Sequence, residues 1–234
     1  MKIDNVSVIG VGGSGQALLP SLMRMLKYHP NGTEDIVAFD GDDFEDHNGE
    51  RQIHTTGTKA DRMNDLLQIQ QLPAICRSAY VSASMLRTWR QRDAESNATR
   101  MVVATVDNDA TRKACIDALI DNPGDFLFVS PGNSDAQDPD KDINGNVLWF
   151  GRVAGQDYGI NPALLFPNIE KPMDAIPRKG SCISHAVSHP QLIAANALAA
   201  SLTLTVIQGL LDDRMPVEAS NVFFSGRKFQ LTAN

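Results

Sequence analysis

Residues 6–15 read VSVIGVGGSG, and residues 36–52 read IVAFDGDDFEDHNGERQ. The first stretch is a β-branched apolar run that breaks into glycines at Gly10, Gly12, Gly13 and Gly15. Its GxGxxG spacing, between a strand and a helix, permits a tight turn and lets phosphate approach the backbone at a positive helix end. The second stretch is another short apolar run, ending at Asp40, where a carboxylate can accept from ribose hydroxyls. The gap is slightly longer than the usual spacing of about 20 residues. NAD, FAD and ATP all remain compatible at this point. Asp42, Asn48, Arg51 and Gln52 then follow on a segment expected to lie over the strand ends, where an arginine grips polyphosphate in a fork.

Further along, strand and helix patterns keep alternating. Helices are expected at 16–27, 59–71, 84–93 and 109–120, the last beginning at an acidic cap. Strands are expected at 6–11, 36–39, 75–81, 101–106 and 126–129, with Pro131-Gly132 closing the last. That alternation predicts an α/β fold with a mostly parallel sheet. The pattern changes after Ser134. Residues 147–153 read as an antiparallel edge strand, and 155–180 as a long proline- and glycine-rich loop. The apolar stretch 192–211 is interrupted by Asn196 and Gln208, so it reads as a core helix and not a membrane span. A hairpin from strands at 221–224 and 228–231 ends the chain. A single domain over 1–234 is expected, its nucleotide-binding half at 1–132 and a crossover loop at 155–187.

Composition narrows the partners. The formal net charge of −7 argues against non-specific binding to nucleic acid. Cys76, Cys115 and Cys182 stand far apart with no CxxC pair, which disfavours a disulfide framework or a cysteine-rich zinc site. Free thiols, with no cleavable apolar leader before the first strand, point to the cytoplasm. His185 and His189 share helical spacing but bring no third metal ligand. Trp89 and Trp149 read as packing residues.

GVGGSG, then DGDDFEDHNGERQ, then VDNDATR at 106–112 together resemble the ThiF/MoeB/HesA family, the bacterial relatives of ubiquitin-activating enzymes, and most of all its short phage and mobile-element type. The match is continuous from Asp40 to Gln52. The resemblance implies a Rossmann-like, mostly parallel sheet with helices on both faces and a C-terminal antiparallel extension. It implies adenylation, with ATP and magnesium, of the C-terminal carboxylate of a ubiquitin-like or sulfur-carrier protein ending in glycine. By motif, Asp40 holds the ribose, Asn48 and Arg51 contact the phosphates, and Asp107 faces the magnesium ion and α-phosphate. Lys59, in TGTKADR, resembles the family's phosphate lysine, although its spacer from Arg51 is shorter than usual. A homodimer is implied too. Nucleic acid and membrane are not expected as partners.

The chain also departs from the pattern. The family's N-terminal helix, whose arginine reaches a partner's site, has no counterpart before the first strand. Arg178 or a partner protein is expected to supply that charge. The family's zinc-binding cysteine pairs are missing. Cys182, in PRKGSCISH, is open to two readings: a thiolate that accepts the activated carrier as a thioester, or a small residue packed under the helix. Asp107 is likewise open to a plain helix-capping role. Two other functions fit the glycine turn. One is an NAD-dependent oxidoreductase, for which no hydride-transfer residue set is evident. The other is a silent relative that binds nucleotide without turnover.

Overall fold

The computed structural model describes residues 1–44, 57–73, 75–96, 98–121, 124–133, 144–177, 193–214, 220–225 and 230–233. At the centre is β1 (Asn5–Ile9), paired in parallel with β2 (Ile36–Phe39) on one side and β4 (Arg100–Ala104) on the other. β3 (Ile75–Arg77) adds outside β2, and β5 (Phe126–Asn133) outside β4, both in parallel. β4 is buried along its whole length, which is why its RMVVA sequence is a continuous apolar run after the first residue.

The sheet then changes direction. β6 (Asn144–Val153) runs antiparallel to β5, and β8 (Asn221–Ser225) and β9 (Gln230–Ala233) continue the antiparallel sequence. β7 (Gln156–Tyr158) hairpins back onto β6. The order β3-β2-β1-β4-β5-β6-β8-β9 is thus a Rossmann-like parallel half with an antiparallel extension.

Three expectations are corrected here. Pro131-Gly132 does not end the fifth strand: both residues pair with β6, at Val147 and Asn146, and the strand runs to Asn133. Proline survives there because an antiparallel partner need not draw on every N–H. Nor is β6 an edge strand, since it lies between β5 and β8. The segment 155–177 also carries more structure than a loop: β7 and two one-turn helices, α5 (Pro162–Leu165) and α6 (Pro167–Glu170).

Helices cover both faces. α1 (Gly13–Tyr28), α2 (Lys59–Ile69) and α7 (Ile193–Leu211) share one apolar cluster with Val6, Val8, Met101, Val103 and Trp149. α3 (Ala83–Ser96) and α4 (Asp109–Ile120) cover the other face with Val102, Ala104, Phe126 and Phe128. α7 is long and apolar enough to cross a membrane by length and composition. Here one side of it, including Ala199, Thr203, Val206 and Ile207, is buried against α1, β5 and β6. Cys76 and Cys115 are buried as expected, and burial pushes both thiols up to about 12. Trp149 is fully buried, and Trp89 lies 5.9 Å from the Phe39 ring.

One polar contact anchors the second face. Asp93 of α3 takes two hydrogen bonds from Arg100 of β4, at 2.6 and 2.9 Å, and both side chains are buried. Ser7 accepts a third Arg100 proton at 2.8 Å, and the guanidinium packs 4.9 Å from the centre of the Trp89 ring.

Candidate nucleotide site

The carboxyl ends of β1, β2 and β4 lie side by side, and the three motifs emerge from them. At the end of β1, Gly10 adopts φ +94°, a conformation that penalises any side chain. Its N–H donates to the Phe39 carbonyl at 2.8 Å, tying the turn to β2. On the other side Thr105, just past β4, donates its hydroxyl to the Gly10 carbonyl at 2.6 Å.

The remaining glycines divide into two kinds. A Cβ at Gly15 would overlap the Gly10 carbonyl oxygen, and one at Gly13 would overlap the Asn196 amide from α7. Asn196 also accepts from Ser14 at 2.9 Å, so a buried polar residue of α7 fixes the first turn of α1. Those two glycines serve packing. Gly12 differs, because a Cβ there would meet nothing within 4 Å. It is the N-cap of α1, with no side-chain cap and no acidic residue in the first turn. The Gly12 side of the turn is therefore clear of side chains at the positive end of α1, where an anion is favoured.

Asp40 follows β2 directly and is 7% exposed. One carboxylate oxygen accepts from the Val11 N–H at 2.6 Å and the other from the Asp42 N–H at 2.9 Å. It thus moulds the glycine turn from inside. A carboxylate has about four acceptor positions, so capacity for a ribose hydroxyl remains. Burial pushes its carboxyl above the usual range, with Lys59 opposing and Asp42 adding to the rise.

Asp42 is half-exposed and doubly held. Lys59 Nζ donates to one of its oxygens at 2.8 Å, and the Tyr80 hydroxyl donates to the other at 2.5 Å. Lys59 begins α2, capped by Thr58, and its side chain is 12% exposed. Burial works to lower the ammonium's pKa, but Asp40, Asp42 and Asp107 outweigh it and raise it. Lys59 thus feels three carboxylates, two that follow β2 and one that follows β4, across adjacent strand ends.

Asp107, which follows β4, is exposed. The helix-capping alternative fails for a simple reason: the cap of α4 is Asn108, whose side chain accepts from the Thr111 N–H at 2.7 Å. The expectation of an acidic cap is corrected with it, since Asp109 is already the first helical residue. Among the described residues Asp107 makes no side-chain hydrogen bond, and a free carboxylate suits a hard cation such as magnesium. Arg112, the arginine of the VDNDATR motif, turns inward. It donates to Asp109 at 2.7 Å, to Ser130 at 3.2 Å and to the Val106 carbonyl, bracing the strand ends.

A strap from the crossover segment closes this side. The Asp174 carboxylate accepts the N–H groups of Asp109 and Ala110 at 2.8 and 2.7 Å, and Asn108 donates to the Ala175 carbonyl at 2.9 Å. Beside it is a pocket of about 90 Å³, lined by Arg112, Ser130, Asn146, Leu148, Phe166 and Asn168 among others.

Asn48, Arg51, Gln52, Arg178, Cys182, His185 and His189 lie outside the described residues. Gly10, Gly12, Gly13, Gly15, Asp40, Asp42, Lys59 and Asp107 are brought together. Sequence reasoning missed Tyr80, Thr105 and Asp174, because each acts through a partner distant in the chain. Asn196 did leave a signal, as a polar residue inside an apolar helix.

No protein-family model matches the chain, and no curated protein matches it. Solved structures do share its fold. A crystal structure of E. coli MccB with ATP superposes with a TM-score of 0.60 at 13% identity, over 98% of this chain and 63% of that one. E. coli MccB with succinimide gives 0.54 at 13% identity, over 98% and 62%. PaaA, in selenomethionine form, gives 0.60 at 16% identity, over 99% and 72%. This chain therefore spans less than two thirds of the length of the MccB chains.

Proposed function

We propose that this protein uses ATP to adenylate the C-terminal carboxylate of a small carrier protein, ubiquitin-like or of the sulfur-carrier type, ending in glycine. The observation that carries the reading is the convergence of three features at adjacent strand ends: the open Gly12 face, the buried Asp40 and the Asp107 carboxylate left out of the helix cap. The fold supports it too, because one of the structures that share it is of MccB with ATP.

The chemistry suits these groups. A chain-terminal carboxylate is ionised near neutral pH, so it attacks the α-phosphorus without a general base. A carboxylate oxygen forms a bond to phosphorus as the bridging bond to pyrophosphate breaks, and the electron pair leaves with pyrophosphate. The protein must hold two anions together and favour the departing charge. The α1 N–H groups at Gly12 face the phosphates, with Asn48, Arg51 and Gln52 completing that contact. Asp40 orients the ribose. In this reading Asp107 would hold a magnesium ion, which when bound neutralises charge on the phosphate oxygens. A homodimer and a thioester on Cys182 belong to the same reading.

The test is ATP–pyrophosphate exchange. Exchange should depend on an added carrier with a C-terminal glycine and fall sharply in Arg51→Ala and Asp107→Ala. If the protein binds ATP yet no carrier-type protein encoded beside it elicits exchange, adenylation is refuted.

A further inference from the structure

Asp42 lies where the motif leads one to expect a nucleotide contact, but its two carboxylate oxygens are already engaged, by Lys59 at 2.8 Å and Tyr80 at 2.5 Å. We propose that Asp42, steadied by Tyr80, is a resident counter-ion that holds the Lys59 ammonium when no nucleotide is bound and releases it to an incoming polyphosphate. The inference rests on the nucleotide-binding part of the proposed function and assigns these residues a role within it.

The main chain explains why the lysine is the part that moves. The Lys59 N–H donates to the Asp42 carbonyl at 3.0 Å, the Phe44 N–H donates to the Gly57 carbonyl at 2.7 Å, and Asp43 bridges to Thr58. Residues 42–44 are thereby laced to 57–59. Tyr80 adds a side-chain fixture: its ring lies against Gly41, where a Cβ would overlap it, and this sets the hydroxyl on Asp42. The main chain on both sides of the pair and the carboxylate are held, whereas the lysine side chain is a four-carbon stem with several rotatable bonds.

The energetics point the same way. A largely buried ammonium without a partner is costly, so the empty protein needs a resident anion. Asp42 is the carboxylate in contact with that ammonium and is itself 48% exposed, so the pairing is only moderate, while Asp40 and Asp107 act on it through space and stay in place when the ammonium moves. A polyphosphate carries more charge and stronger acceptors, and it displaces the carboxylate. Ligands lacking phosphate gain nothing from the exchange.

ATP and adenosine are titrated calorimetrically into the wild type, Asp42→Asn, Lys59→Met and the double variant. Asp42→Asn should bind ATP about fivefold more tightly, the factor for roughly 1 kcal/mol of released pairing, with adenosine unchanged. That gain should vanish on the Lys59→Met background. Weaker ATP binding in Asp42→Asn overturns the proposal, since Asp42 then contacts the nucleotide. A gain that persists undiminished in the double variant also overturns it, since Asp42 then acts only as a repelling charge. Tyr80→Phe keeps the ring on Gly41, so it should move the ATP-to-adenosine affinity ratio in the same direction by a smaller factor. A change in melting temperature alone would leave Tyr80 a packing residue and remove it from the proposal. The clasp is also read without nucleotide, by nitrogen-15 NMR of the Lys59 amine. A slowly exchanging amine that is lost in Asp42→Asn supports it even if ATP fails to bind and the proposed function falls. A freely exchanging amine in the wild type overturns it.

Discussion

Replacing Thr105 by valine removes one hydroxyl and almost no volume. In the wild type that hydroxyl donates to the Gly10 carbonyl at 2.6 Å and lies 3.1 Å from the Ile9 carbonyl. It is the strap that binds the glycine turn to the end of β4. Valine suits an extended backbone equally well, so local propensity does not offset the loss. A partly buried carbonyl deprived of its donor costs about 1–2 kcal/mol. For a chain of this size that is a fall in melting temperature of roughly 2–8 °C. The turn is also the surface that would receive phosphate. If the strap orders it for binding, the same free energy weakens ATP affinity about 5- to 30-fold. Urea denaturation measures the first effect and isothermal titration with ATP the second, with Thr105→Ser as the control that keeps the hydroxyl. The reasoning is refuted if Thr105→Val and Thr105→Ser match in both assays. A stability loss with unchanged affinity refutes the link between strap and site.

The glycines make a sharper pair. Gly15→Ala drives a methyl into the Gly10 carbonyl and should cost about 1–3 kcal/mol in a chemical melt, whereas Gly12→Ala meets open space and should melt like the wild type yet lose ATP binding in calorimetry. Asp93→Ala leaves the buried Arg100 without its anion and should cost about 3–5 kcal/mol in urea, and Asp93→Leu with Arg100→Met should recover most of it. Asp40 predicts a pH effect. Its folded carboxyl is raised above 3.8, so its stabilising contribution is full below that value and is lost as pH rises through the folded pKa. Denaturation curves across that window should show Asp40→Asn gaining on the wild type as pH rises; a constant gap would count against the buried charge.

The parallel half of the sheet was legible because its signals are local. An apolar run such as VSVI, a glycine break and a helix-spaced stretch follow one another within a few tens of residues, and each strand declares its own burial. The span of α4 was read to the residue, although its cap was not: the sequence reading looked to acidic residues, Asp107 among them, and the turn geometry gave the position to Asn108. The antiparallel half was harder. Whether Pro131-Gly132 ends a strand depends on β6, and whether β6 is an edge depends on β8, more than sixty residues further on. Neither fact is contained in the local pattern.

The site divides along the same line. The sequence alone determined which residue types stand at the ends of β1, β2 and β4: glycines that admit a phosphate, Asp40 within reach of a ribose, and Asp107 beside a helix start. Those choices follow from spacing and from what each residue can bond. Only the tertiary structure decided how they are used. It left Gly12 open while Asn196 and Gly10 fill the space beside Gly13 and Gly15. It made Asn108 the cap and so kept Asp107 available. It turned Asp40 inward onto Val11 and gave Asp42 to Lys59 and Tyr80. The physical reason is that a polar group's role is set by which partner satisfies it, and these partners come from strands and helices far apart in the chain.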